Sequence, residues 1–153
     1  MKYIKAAIAV IALVLLDQWT KVLAVTHLMN TNGVTIIPNV FRLYYLENRG
    51  SAFGLMQNQK IFFVIFTILV LAVLTLIYRK IPDTKRMLPL KIAGILIYAG
   101  AIGNFIDRVR QSYVVDFFYF ELINFPIFNV ADIYVTVAAF MFIILGLFYY
   151  KEE

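Results

Sequence analysis

The chain has 153 residues, of which 63% are hydrophobic and 15% are charged, and none is cysteine. Soluble domains are about 45–50% apolar and about 25% charged, so this composition excludes a soluble globular domain, a disordered chain and a disulfide-stapled secreted scaffold. The formal net charge is +5, but the basic residues lie near apolar runs, which indicates orientation in a membrane and not binding of nucleic acid.

Four apolar segments come close to the roughly 20 residues that a helix needs to cross a bilayer. In chain order they cover about 4–25, 61–78, 88–106 and 133–150. The first follows a basic N-terminus, as in a signal peptide, but Asp17 and Lys21 come after its apolar core and no small-x-small cleavage motif is evident. We therefore predict a retained first helix and an all-α polytopic membrane protein, with residues 1–153 forming one domain.

Basic residues are biased toward one side of these spans. They precede the first span, cluster between the second and third, and follow the fourth, at Lys2, Lys5, Arg79, Lys80, Lys85, Arg86, Lys91 and Lys151. The opposite side also carries basic residues, at Arg42, Arg49, Lys60, Arg108 and Arg110, so the bias is modest. Because cytoplasmic loops are enriched in Lys and Arg, we predict that both termini are cytoplasmic.

Two connections on the outer side, 26–60 and 107–129, are too long to be simple turns. Within the first, residues 34–37 and 41–46 are typical of extended segments, so we predict a small sheet or hairpin on the outer face. Residues 107–129 are rich in aromatic side chains, which favour the membrane–water boundary. We expect this second connection to dip into the interface.

One short pattern recurs, as Asn104-x-x-Asp107 and Asn129-x-x-Asp132. Positions i and i+3 share one face of a helix, so the amide of each copy is placed to bond its carboxylate or a partner common to both. The recurrence is too short to indicate an internal repeat of the chain.

Acidic residues near membrane depth are costly and indicate function. The four that fall toward the outer side are Asp17, Asp107, Asp116 and Asp132. Asp17 and Lys21 at i,i+4 favour a neutralised pair, and Arg108 beside Asp107 offers donors for a carboxylate or a phosphate. Asp116 has apolar neighbours, so desolvation is expected to raise its pKa. Asp132 begins the fourth helix, where an acid also favours the helix dipole.

Two desolvated carboxyl groups on one face can share a proton and activate water for peptide hydrolysis, with no metal, cofactor or covalent intermediate. The sole histidine, His27, has no partner at metal-ligand spacing, and the glycines at 100 and 103 lack the lysine of a phosphate loop. Ala99 and Gly103 are more simply a helix-packing face.

The alternative function is a small ion- or proton-coupled carrier in which buried acids relay protons. A carrier should place acids near mid-membrane and often shows an inverted repeat, whereas the acids here gather at one side. A purely structural role is a third interpretation, which leaves Asp116 without a purpose. The residues alone leave open which of the outer acids would act.

Five short blocks resemble, in order, the motifs of lipoprotein signal peptidase, the type II signal peptidase of bacteria. They are DQWTK at 17–21, ENRGSAFG at 47–54, GNFIDR at 103–108, VVDF at 114–117 and FNVAD at 128–132. Each block alone is a weak signal, but together they are specific and span most of the chain. The resemblance implies an aspartic endopeptidase with four transmembrane helices and a small β cradle on the outer face.

The resemblance also implies roles for single residues. Its catalytic pair corresponds to Asp116 and Asp132. The other motif positions, which support the site or the substrate, are Asp17, Lys21, Asn48, Gly50, Asn104, Asp107, Arg108, Asn129 and Ala131. Ser51 stands where the family usually has alanine, and the short spacing between the last two blocks implies a trimmed aromatic loop.

The substrate that the resemblance implies is a prolipoprotein with a diacylglyceryl group on the cysteine just after the cleavage site. Cleavage would fall on the N-terminal side of that cysteine, and Asn48 and Arg108 are candidates to hold backbone or glycerol oxygens. The resemblance further implies no cofactor, contact with membrane lipid, and inhibition by cyclic peptides such as globomycin. It places the enzyme in the bacterial cytoplasmic membrane with its active site toward the outer face.

Overall fold

The computed structural model of the protein describes residues 2–50 and 58–150, without the side chain of Lys2. Ser51 and the rest of the ENRGSAFG block after Gly50 lie outside the described residues. Lys151, which contributed to the predicted charge bias, lies outside them too.

Within residues 2–50 and 58–150, four long helices are apolar enough to cross a membrane, which confirms the predicted spans. They are α1 (Lys2–Leu28), α2 (Lys60–Lys80), α3 (Leu88–Gln111) and α4 (Val130–Ile144), the last continued by a π turn over Leu145–Tyr149. The predicted ends of α1 near residue 25 and of α3 near residue 106 were too early. Lys21 and Asp107 lie near these ends and pair with each other across α1 and α3, so neither charge has to end its helix.

An antiparallel sheet in the order β1-β2-β3 lies at one end of the bundle. Its strands are β1 (Val34–Ile37), β2 (Phe41–Asn48) and β3 (Val114–Phe120). The predicted β1–β2 hairpin is confirmed. The prediction for 107–129 contained no strand and is wrong there, since VVDFFYF pairs with β2 along its length. This run of β-branched and aromatic residues suits a strand, and β2 offers it a free edge.

The sheet rests on the end of α1 through an apolar core of Ala24, Leu28, Val115 and Phe117. A second core, around Val14, Ala99 and Tyr134, joins α1, α3 and α4. By contrast, α2 has no buried residue and packs mainly on α3. The parts of the chain that carry the conspicuous acids are therefore the well-packed ones.

Small residues on α3 bring α4 and α1 close to it. A Cβ atom added to Gly100 would lie 2.5 Å from the Ala131 carbonyl oxygen and 2.6 Å from Val135 Cγ2. One added to Gly103 would lie 2.5 Å from Asp17 Oδ2. Ala99 is fully buried, so the predicted helix-packing face of Ala99 and Gly103 is confirmed.

We expect Gly100→Ala to lower the free energy of unfolding by about 1–3 kcal/mol, because the new methyl group meets a backbone carbonyl that cannot move aside. Gly146→Ala is the matched control, since a Cβ atom there meets none of the described residues within 4 Å and alanine favours a helix over glycine. Thermal unfolding in detergent measures both. Equal midpoints for the two variants would contradict close packing at Gly100.

Candidate active site

The start of α4 fixes Asp132 through a reciprocal cap. The Asn129 side-chain oxygen accepts from the Asp132 backbone N–H at 3.0 Å, and Asp132 Oδ2 accepts from the Asn129 backbone N–H at 3.1 Å. This capping box satisfies two donors that a helix start leaves unpaired. The cap holds the Asp132 carboxyl group in place, and because Asp132 is only half-buried, the group stays accessible.

Asp116 lies in the middle of β3 and is 1% exposed. Its Oδ1 accepts from Asn129 Nδ2 at 2.6 Å, and its Oδ2 accepts from Asn48 Nδ2 at 2.9 Å. Asn48 is opposite Val114 in the β2–β3 register, so Asn48 and Asp116 share one face of the sheet. The motifs singled out both amide residues, but sequence reasoning missed their contacts with Asp116 because it did not predict β3.

The environment of Asp116 favours its neutral form. Burial, and then the charge of nearby Asp132, raise its pKa from the ordinary 3.8 to about 7. The hydrogen bonds from Asn48 and Asn129 oppose this shift but do not outweigh it. The rise by desolvation that the apolar neighbours of Asp116 predicted is therefore confirmed.

Asn104 of α3 links the two acid-bearing segments. Its Nδ2 donates to Asp132 Oδ1 at 2.8 Å, while its Oδ1 accepts from Asn129 Nδ2 at 3.2 Å and from Lys21 Nζ at 2.9 Å. A lysine ammonium can only donate, so it fixes which end of the Asn104 amide faces Asp132. Asn104 is thus the partner that Asn129 and Asp132 share, as the second Asn-x-x-Asp copy predicted.

A buried ion triad of Asp17, Lys21 and Asp107 lies beneath Asn104. Lys21 Nζ is 2.9 Å from Asp17 Oδ2 and 3.1 Å from Asp107 Oδ2, and each of the three residues is at most 4% exposed. The predicted Asp17–Lys21 pair is confirmed. Lys21 is also the partner common to Asn104 and Asp107, as the first Asn-x-x-Asp copy predicted.

The two acids of the ion triad also hold backbone groups. Asp17 Oδ1 accepts from the backbone N–H of Ala131 at 2.9 Å, and Asp107 Oδ2 accepts from that of Val115 at 3.2 Å. Ala131 and Val115 immediately precede Asp132 and Asp116 in the chain. The ion triad therefore fixes the backbone beside both of these carboxyl groups.

Gln18 contacts two members of the ion triad, and sequence reasoning did not single it out. Its Nε2 lies 2.9 Å from Asp107 Oδ1, 3.2 Å from Asp17 Oδ2 and 3.2 Å from the Gly103 carbonyl oxygen. Its position beside Asp17 in the DQWTK block could have indicated that it belongs to the site.

Arg108 and Gly50 form the edge of the site nearest α2. Arg108 donates to the Gly50 carbonyl oxygen at 3.1 Å, and its guanidinium carbon lies 4.7 Å from the centre of the Phe63 ring. Gly50 in turn donates its N–H to Asn48 Oδ1 at 3.0 Å, which orients the Asn48 amide toward Asp116. All the residues that the motifs singled out thus belong to one connected cluster, in which Gly50 and Ala131 act through backbone groups.

Asp116 and Asp132 line one cavity of about 680 Å³. Asn48, Asn104 and Arg108 complete its polar end. The rest of the wall is mainly apolar, from the end of β3, the β3–α4 connection and the first turns of α4. The cavity reaches the lipid-facing side of α4, where Ile133 and Val137 are 38% and 43% exposed. The cavity thus combines a polar end that carries two acids with a mainly apolar wall.

The comparisons with known proteins agree with one another. The family described as Signal peptidase (SPase) II matches residues 9–148. A lipoprotein signal peptidase of Streptococcus thermophilus (strain CNRZ 1066) is 43% identical over 153 residues, covering 100% of this chain and 97% of that protein. One from Caldanaerobacter subterraneus subsp. tengcongensis is 45% identical over 142 residues, covering 92% of each.

A solved structure, described as a bacterial membrane enzyme determined by the in meso method, has the same fold. It aligns with a TM-score of 0.84 at 34% identity, covering 97% of this chain and 93% of the other. The family match and the fold support the peptidase over the carrier alternative. The chain therefore belongs to the signal peptidase II family, and it is a membrane protease that removes signal peptides from lipoproteins.

Proposed function

We propose that Asp116 and Asp132 are the catalytic pair, and that they cleave diacylglyceryl-modified prolipoproteins on the N-terminal side of the lipidated cysteine. The observation that carries this proposal is that both carboxyl groups line one cavity, close enough for the charge of Asp132 to raise the pKa of Asp116. Two such groups share a proton and titrate as a unit. The pair then contains one acid and one base at the same time.

In the proposed mechanism, Asp116 begins as the acid and Asp132 as the base. Asp132 takes a proton from water, the water oxygen attacks the scissile carbonyl carbon, and Asp116 gives its proton to the carbonyl oxygen. The resulting diol returns a proton to Asp116 as the C–N bond breaks, and Asp132 protonates the departing cysteine nitrogen. Both acids regain their starting forms without a covalent intermediate.

The neighbouring amide groups hold the two carboxyl groups in position for these proton transfers. Asn48 and Asn129 each donate to one oxygen of Asp116. Asn104 and the Asn129 backbone N–H each donate to one oxygen of Asp132. Every carboxylate oxygen therefore keeps one further lone pair for water or substrate. Arg108 has five N–H donors, of which Gly50 uses one, so its fork can also hold a carbonyl or glycerol oxygen of the substrate. Asn48 is engaged by Asp116, which favours a positioning role for it.

The apolar cavity wall supports a lipid-bearing substrate. The signal peptide would lie as an apolar helix along α4, and the two acyl chains would remain in surrounding membrane lipid. Globomycin, a cyclic peptide, would compete for the same cavity.

We propose that both termini are cytoplasmic and that the site faces the outer side of the bacterial cytoplasmic membrane. The end of the bundle opposite the sheet carries Arg79 and Lys80 in the last turn of α2, and Lys85 and Arg86 in the α2–α3 loop. Lys91, which we counted with them, is buried and paired with Asp83, so it adds little to the bias. The remaining bias supports a cytoplasmic location for this loop.

Cleavage of matched precursors tests the proposed substrate. The enzyme in lipid nanodiscs should cut a diacylglyceryl-modified precursor and leave the same peptide without lipid almost intact. Mass spectrometry of the product should find the modified cysteine at its N-terminus, and globomycin should block its formation. Equal cleavage of both precursors, or a product that begins elsewhere, would refute the proposal.

The raised pKa of Asp116 predicts the pH dependence. Below about 7 this carboxyl group keeps its proton, and above it the pair loses the proton that the mechanism requires. We therefore expect kcat/KM to fall about tenfold per pH unit on the alkaline side. The measurement is a pH series in nanodiscs, with aliquots returned to pH 6 to show that the enzyme is intact. A profile that stays flat up to pH 9 would contradict an acid role for Asp116.

A further inference from the structure

A second cavity, a groove of about 390 Å³, lies at the end of the bundle opposite the candidate active site. It exists because α1 and α2 both pack on α3 but scarcely on each other. Its walls include Ala7 and Ile11 of α1, Tyr78 and Arg79 of α2, and Ile95 and Tyr98 of α3. None of these residues takes part in the proposed hydrolysis.

The inner wall of the groove is suited to an apolar occupant. The hydroxyl oxygens of Thr75 and Tyr98 lie 2.7 Å and 3.0 Å from the Leu71 carbonyl oxygen and also contact each other, so their two protons have acceptors within this group. These polar atoms are therefore already satisfied within the protein. Ala7 and Ile11 on the facing helix are apolar and exposed.

The mouth of the groove is positively charged. Arg79, in the last turn of α2, lines it. Lys80 ends the same helix, and Lys85 and Arg86 lie in the α2–α3 loop that follows, residues 81–87. The one acid of this loop, Asp83, is paired with Lys91. The groove thus combines an apolar channel with a basic end, which is the pattern of an amphiphile with an anionic head.

We infer that this groove binds an anionic glycerophospholipid of the surrounding bilayer. One acyl chain would lie between α1 and α2 on the floor that α3 provides, and the phosphate would lie at Arg79. A guanidinium group binds phosphate through two parallel hydrogen bonds, and basic pockets between transmembrane helices commonly take such headgroups. Bound lipid would fill the gap that α1 and α2 leave and so tie α2 to the rest of the bundle.

Native mass spectrometry of the delipidated enzyme tests this inference. Phosphatidylglycerol and phosphatidylcholine with identical acyl chains are the probes. We expect phosphatidylglycerol to be retained roughly fivefold more strongly, the ratio expected of one basic residue at a membrane surface. It should also raise the midpoint of thermal unfolding more than phosphatidylcholine does. Equal retention of the two lipids would overturn the inference.

Two variants and a matched control separate a groove site from general surface charge. Ala7→Phe fills the groove without a change of charge, and Arg79→Gln removes the charge at its mouth. Arg86→Gln removes the same charge from the adjacent α2–α3 loop, outside the groove. Both groove variants should lose the preference for phosphatidylglycerol, whereas Arg86→Gln should keep it. If Arg86→Gln loses as much as Arg79→Gln, or Ala7→Phe loses nothing, the groove is not the site.

Folding and activity controls keep this result independent of the proposed function. Cleavage of lipidated precursor should survive in all three variants, because none contacts the candidate active site. If Ala7→Phe does not fold, Ala7→Leu partly fills the same space, and an unchanged lipid preference in it would count against the groove.

Discussion

Asp116→Asn and Asp132→Asn are each expected to lower kcat for a diacylglyceryl-modified precursor by at least about 10³-fold, within the range that general acid–base catalysis contributes. Asparagine has nearly the same shape as aspartate but can neither hold the shared proton nor take one from water. Because the proposed mechanism uses both carboxyl groups in the attack of water and again in the cleavage of the C–N bond, loss of either one stops both steps. The measurement is single-turnover cleavage in nanodiscs, with the product quantified by mass spectrometry.

Controls must separate lost chemistry from lost structure, because both oxygens of Asp116 accept from amide groups and an asparagine there places one donor against another. Thermal unfolding shows whether each variant folds, and binding of globomycin shows whether the cavity persists. Glu121→Gln is the matched control, since Glu121 lies in the same connection but does not line the cavity. If either variant keeps substantial activity, the pair is misassigned and Asp107 becomes the next candidate.

Lys21→Met is expected to lower the free energy of unfolding by about 3–5 kcal/mol, the usual cost of removing one partner from a buried ion pair. Lys21 is 3% exposed, and its loss leaves Asp17 and Asp107 without the cation that both contact. Titration with a denaturing detergent measures the change. Lys85→Met, a substitution of an exposed lysine in the α2–α3 loop, should change it by less than about 0.5 kcal/mol.

The same variant should also lose activity at temperatures where it remains folded. Without Lys21 the Asn104 amide is free to turn its oxygen toward Asp132, and the acids that hold the backbone of Ala131 and Val115 repel each other. This effect acts on the geometry of the reaction, so kcat should fall while KM changes little. Adding Asp17→Asn should restore part of the stability but not the activity. A stability loss below about 1 kcal/mol would show that the ion triad is not a structural centre.

The sequence allowed good prediction of the membrane-spanning part of the fold. Span length and apolar composition are local properties, so four helices were predictable from windows of about 20 residues. The third strand was not predictable in this way, because β3 pairs with β2, a segment about 70 residues away in the chain. The sequence VVDFFYF does not by itself indicate which strand it pairs with. Missing β3 also hid the contact between Asn48 and Asp116.

The motif residues were found as a set, but their contacts were predictable only in part. Asp17 and Lys21 are one helical turn apart, so their pair followed from spacing. Asp107 and Arg108 are adjacent in the chain, yet neighbours on a helix point in different directions. Asp107 therefore faces Lys21 of α1, while Arg108 faces Gly50 and Phe63. Such partners depend on how α1 and α3 pack, which spacing along one helix does not reveal.

The position of Asp132 in the first turn of α4 has a consequence during biosynthesis. Asp116 is synthesised before Asp132, which leaves the ribosome only with the start of α4. If the two residues are the catalytic pair, as proposed, a nascent chain without α4 lacks one of the two acids and would be inert toward precursors. Proteolytic competence would arise only when α4 docks, as a final assembly step.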